Sequence, residues 1–491
     1  MTDQAHAAAS PAEVPRGHPP GLYMLFFAEL WERFCYYGMR ALLAFYVADQ
    51  FLLGEDEASV TYGAYTSLVY ATAILGGWVA DKILGFRRSI IVGGLLMAVG
   101  EFVLMIPEQF YLMLGLALMV VGNGLFKPNI STVVGKLYAP GDPRRDQGFT
   151  IFYMGINVGA FLAGIVCGGI GETYGWHWGF MTAGAGMLLG IVTFVLGQGR
   201  LGEHGKSPPG QEGMVPVVQV LVGCAVLTAA VYFLLGKQEW MLVFLSSLMG
   251  AVILLLLGIG FRQDNVGRDR MIGLIILLFA NMFFWALFEQ AGSSLNFLAR
   301  NYTDRHVVGG DSWEFPATWF QSVNAVCIVA FAPLFVIMWR WLDAVRKNPS
   351  IPVKFGLGII PLGLGFGVLL LGIQLTGTGN NAFWIWLFLL YVLHTAGELC
   401  LSPVGLSAMT KLAPPSVGGM VMGAWFLSVA VGNYAAGQVA ALVGSGAKEG
   451  EIASLSSYTD VFSSAMWASF IVGGFFVLIG PFVNKLLHGV R

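Results

Sequence analysis

Glu29-Leu30-Trp31-Glu32-Arg33-Phe34-Cys35-Tyr36-Tyr37-Gly38-Met39-Arg40 lies inside an otherwise apolar run, residues 21 to 48. The flanks, Leu22 to Ala28 and Ala41 to Val47, carry no charge. The run is long enough to cross a bilayer as one helix, for which about 20 residues suffice. Steps of four join Glu29 to Arg33, Glu32 to Tyr36 and Tyr36 to Arg40, and a step of seven joins Arg33 to Arg40. At about 3.6 residues per turn these side chains fall on one stripe. A charge at the bilayer centre costs at least ~2.5–3.5 kcal/mol on insertion scales, so the stripe must face protein or water. A buried ion-pair network tying helices together would be the plainer reading, but lipid-facing hydrophobes do that at lower cost. The stripe marks a polar route through a membrane.

The rest of the chain agrees. Of 491 residues, 56% are hydrophobic and 11% charged, a composition foreign to soluble domains. A net charge of −2 gives no reason to expect nucleic acid as a partner. Cys35, Cys167, Cys224, Cys327 and Cys400 fall in apolar segments without metal-ligand spacing and are expected to be small core residues. Residues 1–20 read as a short disordered cytoplasmic tail, without the apolar region of a signal peptide.

Apolar segments near 22–52, 60–80, 89–106, 110–134, 149–170 and 177–197 form a first set of six. A pair follows near 215–236 and 240–261, then six more near 271–299, 315–341, 355–375, 383–410, 417–444 and 460–487. The expected organisation is a six-helix bundle over 21–200, a linker over 201–214, an inserted hairpin over 215–262 and a second six-helix bundle over 263–491. That is an all-α membrane protein of fourteen transmembrane helices. With the N-terminus inside, nineteen of the 26 Lys and Arg fall on inner segments. Outer loops hold only Lys237, Arg300, Arg305 and Lys448, which places both termini in the cytoplasm. The hairpin has no polar stripe and is expected at the periphery. Lys127-Pro128 in the fourth segment, against Glu398 followed by Pro403 in the tenth segment outside the hairpin, hints at a repeat of the kind secondary transporters show.

Three further ionisable residues lie deep in apolar segments: Lys127, Glu289 and Glu398. With Glu29, Glu32, Arg33 and Arg40 they make four acids against three bases. One uncompensated negative charge in a low-dielectric chamber invites a proton or a substrate ammonium. Tyr36, Tyr37, Tyr70, Asn157, Trp285, Asn324, Trp425 and Phe426 complete the expected wall; Trp285 and Glu289 share a helix face. Glu101 shows no partner in sequence and His394, one turn before Glu398, reads as a hydrogen-bonded core histidine. Asn301-Tyr302-Thr303 matches a glycosylation sequon, a pattern too short to carry an argument. There is no Ser/His, paired-Asp or His/Glu metal arrangement of a hydrolase, so the chain is not read as an enzyme.

Between the second and third segments, Asp81-Lys82-Ile83-Leu84-Gly85-Phe86-Arg87-Arg88 sets an acid, a glycine turn and a basic cluster together, resembling the loop signature of the major facilitator superfamily. A charge clamp between helices is expected there. Within that superfamily the chain resembles the bacterial proton-dependent oligopeptide transporters. Glu29-x-x-Glu32-Arg33-Phe34-x-Tyr36-Tyr37-Gly38 looks like their first-helix motif. Phe152-Tyr153-Met154-Gly155-Ile156-Asn157-Val158-Gly159-Ala160 is similar to their fifth-helix signature, and Gly397-Glu398-Leu399-Cys400-Leu401-Ser402-Pro403 to their tenth-helix motif.

The resemblance implies a monomeric proton symporter of the cytoplasmic (inner) membrane that carries di- and tripeptides by alternating access, needs no cofactor beyond protons and sits in membrane lipid. The alternative is the same scaffold carrying another small solute, such as nitrate, an amino-acid conjugate or a peptide-like drug. By resemblance, Arg33 and Lys127 would take the peptide carboxylate. Glu398, with Asn157 and Asn324, would take its ammonium. Tyr36, Tyr37, Tyr70, Trp285, Trp425 and Phe426 would line side-chain pockets. Glu29, Glu32 and Glu289 would carry protons; Arg40 with Glu289 would close the outer side and Lys127 with Glu398 the inner side. Two departures stand out: Gly63 occupies the place of a second-helix histidine in animal members, and Ala325 follows Asn324 where many members have proline.

Overall fold

The computed structural model of the chain describes residues 17–139, 142–307, 313–377, 381–414, 417–447 and 451–490. The expectations for residues 1–16 of the tail, for Lys448 and for Arg491 lie outside the described residues. Among the described residues, fourteen long helices follow one another. They are α1 Pro20–Phe51, α2 Glu55–Leu84, α3 Phe86–Leu104, α4 Gln109–Lys136, α5 Arg145–Tyr174 and α6 Trp176–Leu201. Then come α7 Val215–Leu235 and α8 Gln238–Gly260, and after them α9 Asn265–Asn301, α10 Ala317–Ala344, α11 Ile351–Thr376, α12 Ile385–Leu412, α13 Gly418–Gly444 and α14 Leu455–Leu486. Twelve of these are long and apolar enough to cross a membrane by composition alone. The other two, α1 and α3, are the ones whose spans hold Glu29, Glu32, Arg33 and Arg40, and Arg87, Arg88 and Glu101.

Helices α1–α6 pack together, as do α9–α14, giving two six-helix bundles. The hairpin α7–α8 rests on α4 at one side and on α9 and α13 at the other. Its remaining faces expose Val222, Val226, Leu242 and Leu254, as a lipid-facing surface should.

Several helices begin before their apolar segments because polar residues cap them. Glu55, Asp56 and Glu57 occupy the first turn of α2, where the helix dipole favours acids. Asp264 caps α9 by accepting from the Gly267 amide at 2.8 Å. Among the described residues five helices depart from α geometry. α2 ends in a π turn at Ala80–Leu84, α5 contains another at Gly164–Gly168, and α9 tightens to a 3₁₀ turn at Glu289–Gly292. α6 ends in a 3₁₀ turn at Gln198–Leu201 and α10 begins with one at Ala317–Phe320.

The two bundles meet closely at one end, which holds Glu55, Glu172 and Arg305; we call it the outer end, following the orientation expected from the charge bias. Small residues bring the backbones together there. A Cβ on Gly63 of α2 would lie 2.8 Å from the Cα of Gly437 of α13. On α5, a Cβ on Gly164 would meet the Ser322 hydroxyl of α10 at 2.4 Å, and one on Gly168 the Thr318 hydroxyl at 2.3 Å. The glycine at position 63 is thus a packing requirement: a histidine side chain has no room there.

At the other end, the α2–α3 turn differs from the expected charge clamp. Gly85 has a φ of 79°, and a Cβ there would strike the Lys206 carbonyl at 2.5 Å, because residues 202–213 lie directly on the turn. Arg87 donates to the carbonyls of His204 (2.8 Å) and Gly202 (2.5 Å), and Arg88 to those of Gly213 (2.9 Å) and Glu212. Asp81 is exposed, and no ion pair joins it to these arginines among the described residues. The arginines hold linker carbonyls in place of a carboxylate.

Candidate functional site

The stripe on α1 is buried as its spacing predicts. Glu29, Glu32 and Arg33 are each at most 1% exposed. Arg33 donates to both oxygens of Glu32, through Nη2 at 2.6 Å and through Nε, and its Nε lies 3.3 Å from Glu29 Oε1. Asn123 of α4 donates to Glu32 Oε1 at 2.8 Å. Lys127, one turn beyond Asn123, lies within electrostatic reach of both carboxylates, with its Nζ 4.9 Å from the centre of the Tyr70 ring. This is one cluster, held entirely within the first bundle.

Two turns further along α1, Arg40 crosses to the second bundle. Its Nη2 is bound to Glu289 Oε2 and its Nε to the Tyr62 hydroxyl of α2. Glu289 sits where α9 tightens, at the kind of helix break that transporters use to present polar groups. Glu398 of α12 is within electrostatic reach of Glu289 and Arg40. Its Oε2 accepts from Asn324 Nδ2 at 2.9 Å, and the same amide reaches Thr395 at 3.0 Å.

Between the clusters lies a polar cavity of about 90 Å³, walled by Tyr37, Arg40, Tyr70, Trp285, Glu289, Asn324 and Glu398 among others. Tyr37 is the hinge of the arrangement. The Arg33 and Arg40 guanidiniums lie 6.0 and 5.7 Å from its ring centre, and its hydroxyl is within electrostatic reach of Glu289 and Glu398. Seven of the expected residues therefore wall one void, while Glu29, Glu32, Arg33 and Lys127 stand behind Tyr36, Tyr37 and Tyr70. The reason is that Arg33 is neutralised by two acids within its own turn of helix and is clasped away from the cavity.

Other expected residues have other surroundings in this conformation. Asn157 donates to the Tyr153 carbonyl of its own helix at 3.0 Å. Trp425 is 3% exposed and packs edge-on to Phe355, while Phe426 is exposed. No ion pair joins Lys127 to Glu398 among the described residues; Glu398 turns to Asn324 instead. Of the two pairs expected to close the ends, Arg40–Glu289 is formed and Lys127–Glu398 is not, among the described residues. Trp285 is fixed by its indole N–H to Asn281 at 3.0 Å, and Asn281 in turn donates to Ser428 at 2.8 Å. Ala325 lies within a helix that runs on to Ala344, with Pro333 in its interior.

Sequence reasoning passed over Tyr62, Asn123, Gln321, Tyr391 and Thr395. Spacing held the signal: Tyr62 is two steps of four before Tyr70, Asn123 is four before Lys127, and Thr395 is three before Glu398. Glu101 proves fully buried with a partner, the Cys35 thiol, at 3.3 Å. His394 is 2% exposed and bonded to the Leu362 carbonyl at 3.2 Å, a core histidine as expected. Asn301 donates to Glu55 at 2.9 Å, which gives this asparagine a structural use.

Known proteins match closely. The chain is 38% identical over 451 residues to the peptide transporter YePEPT of Yersinia enterocolitica, covering 86% of this chain and 88% of that one. It is 32% identical to dipeptide and tripeptide permease B of Xenorhabdus bovienii, covering 96% of each. Among solved structures, a peptide transporter POT in complex with sulfate superimposes with a TM-score of 0.83 at 37% identity, over 96% of this chain and 97% of that one. The profile described as the POT family matches residues 87–457. The chain belongs to the POT family.

Proposed function

We propose that the protein imports di- and tripeptides together with protons across the bacterial cytoplasmic membrane, by alternating access between its two bundles, with both termini in the cytoplasm. It acts as a transporter, not an enzyme, and protons are its coupling ion. One observation carries the reading: an ion pair between the bundles, Arg40–Glu289, forms part of the wall of the same cavity as the Glu398–Asn324 pair. Substrate charge and the closure of the outer end therefore meet in one place. The names of the relatives support peptides as the substrate class.

The geometry supports the following mechanism. A proton reaching Glu289 weakens its hold on Arg40 and lets the outer end part. A dipeptide then enters, its ammonium drawn to Glu398 and Asn324 and its carboxylate to Lys127 and Arg33. The carboxylate competes with Glu29 and Glu32 for Arg33, so peptide binding frees a carboxylate to take up a proton. Tyr37, Tyr70 and Trp285 offer apolar walls to side chains, and Tyr36, Trp425 and Phe426 come within reach as the cavity opens. At about 90 Å³ the cavity is well short of the roughly 300 Å³ or more typical of small-molecule sites, so binding requires opening. A zwitterion with one proton carries a single positive charge inward. At ~2.3 kcal/mol per charge per 100 mV, a membrane potential of about 100 mV alone supports roughly 50-fold accumulation.

Competition tests the substrate assignment. Unlabelled dialanine should displace labelled dialanine from the purified protein, whereas N-acetyl-dialanine and nitrate should not. Displacement by nitrate with indifference to dialanine would transfer the scaffold to another solute.

A further inference from the structure

The carboxylate of Glu172 sits in the last turn of α5, in the first bundle, and accepts from two backbone amides of the second. Ala317 N donates to Oε2 at 3.0 Å and Thr318 N to Oε1 at 2.8 Å. These are the first amides of α10. The residue preceding them is Pro316, whose side chain offers no cap, so α10 begins without a cap of its own. Glu172 is equally misplaced on its own helix, since a carboxylate at a helix C-terminus faces the negative end of the dipole. Each helix end supplies what the other lacks. Arg305, also of the second bundle, adds its guanidinium 3.8 Å from Glu172.

We infer that Glu172 is a second outer gate: a helix cap supplied in trans, which holds the bundles closed at the outer end and must be surrendered each time they part. The inference rests on the alternating access proposed above, and neither Arg40 nor Glu289 takes part in it. When the outer end opens, α10 loses its cap and Glu172 faces only the carbonyls of its own helix. The closed state is favoured by that difference. Charge-assisted bonds to backbone amides are the strong kind, which makes the latch comparable to an ion pair without needing a second charge at α10.

The test uses the full-length protein in lipid nanodiscs, with spin labels on Glu108→Cys and Leu375→Cys, exposed positions at the outer ends of α4 and α11. Glu172→Gln keeps the shape and one acceptor but removes the charge. It should raise the population with long inter-label distances about tenfold and lower the melting temperature. Adding Pro316→Ser gives α10 a cap of its own. The double variant should recover melting temperature while keeping the enlarged open population. An unchanged distance distribution in Glu172→Gln overturns the inference, and so does a return to the wild-type distribution in the double variant, since that would mean only helix fraying. Should Glu172→Gln alone be too unstable to isolate, the double variant gives the same reading. The measurement uses neither peptide nor proton gradient, so it stands apart from any failure of dialanine uptake.

Discussion

Arg40 of α1 is bound to Glu289 at the break in α9, and Tyr62 of α2 holds the same guanidinium from the side. All three are buried, so the pair cannot be exchanged for water without moving the bundles. Breaking a buried pair by removing one partner costs about 3–5 kcal/mol. Glu289→Gln should therefore favour the outward-open state and reduce proton-driven uptake at least about tenfold, read by initial rates in proteoliposomes. Uptake equal to wild type at every external pH would remove Glu289 from coupling.

Glu32 has its oxygens shared between Arg33 and Asn123, with no water-facing alternative. A neutral amide there leaves Arg33 facing Glu29 alone. Glu32→Gln should abolish accumulation driven by a pH gradient while leaving exchange of labelled for unlabelled dialanine measurable. Acid-driven uptake undiminished in this variant would contradict the proton role.

Lys127 rests on the Tyr70 ring and lacks a carboxylate bonded to it among the described residues. Of the three buried cations of the site, Arg33 and Arg40 are each paired with a carboxylate, which leaves Lys127 as the one the proposed function offers to a peptide carboxylate. A hydrogen bond to a charged group contributes about 1.5–3 kcal/mol. Lys127→Ala should weaken dialanine binding about 10- to 100-fold by calorimetry, with little change for a peptide whose carboxylate is amidated. Equal loss for both would assign the effect to folding.

The Gly63–Gly437 contact sets how closely α2 and α13 approach. Overpacking a tight contact costs typically about 1–3 kcal/mol. Gly63→Ala should lower the melting temperature and enlarge the outward-open population; Gly63→His should do both more severely. A stable, closed Gly63→His protein would show that the interface yields more readily than its geometry implies.

Much of this was legible in the chain. Helical spacing alone placed Glu29, Glu32, Arg33, Tyr36 and Arg40 on one buried stripe, because a charge inside an apolar run has few places to go. The Arg40–Glu289 tie came from family resemblance and the structure forms it. What could not be read were features that depend on how helices approach one another. Gly63 looked like the mere absence of a histidine until α13 was seen against it. Glu101 had no visible partner because a thiol on α1 is an unobtrusive donor. The loop arginines looked made for a carboxylate, but backbone carbonyls carry no signature in sequence. Division of the charges into two groups on either side of Tyr37 was likewise hidden, since counting charges does not say which acids lie closest to Arg33.

Uptake of labelled dialanine into proteoliposomes under an imposed pH gradient, inside alkaline, tests the central claim most directly. Accumulation above the external concentration that collapses when a protonophore is added is the expected result. Uptake that stops at equal concentrations on both sides, whatever the gradient, would contradict it.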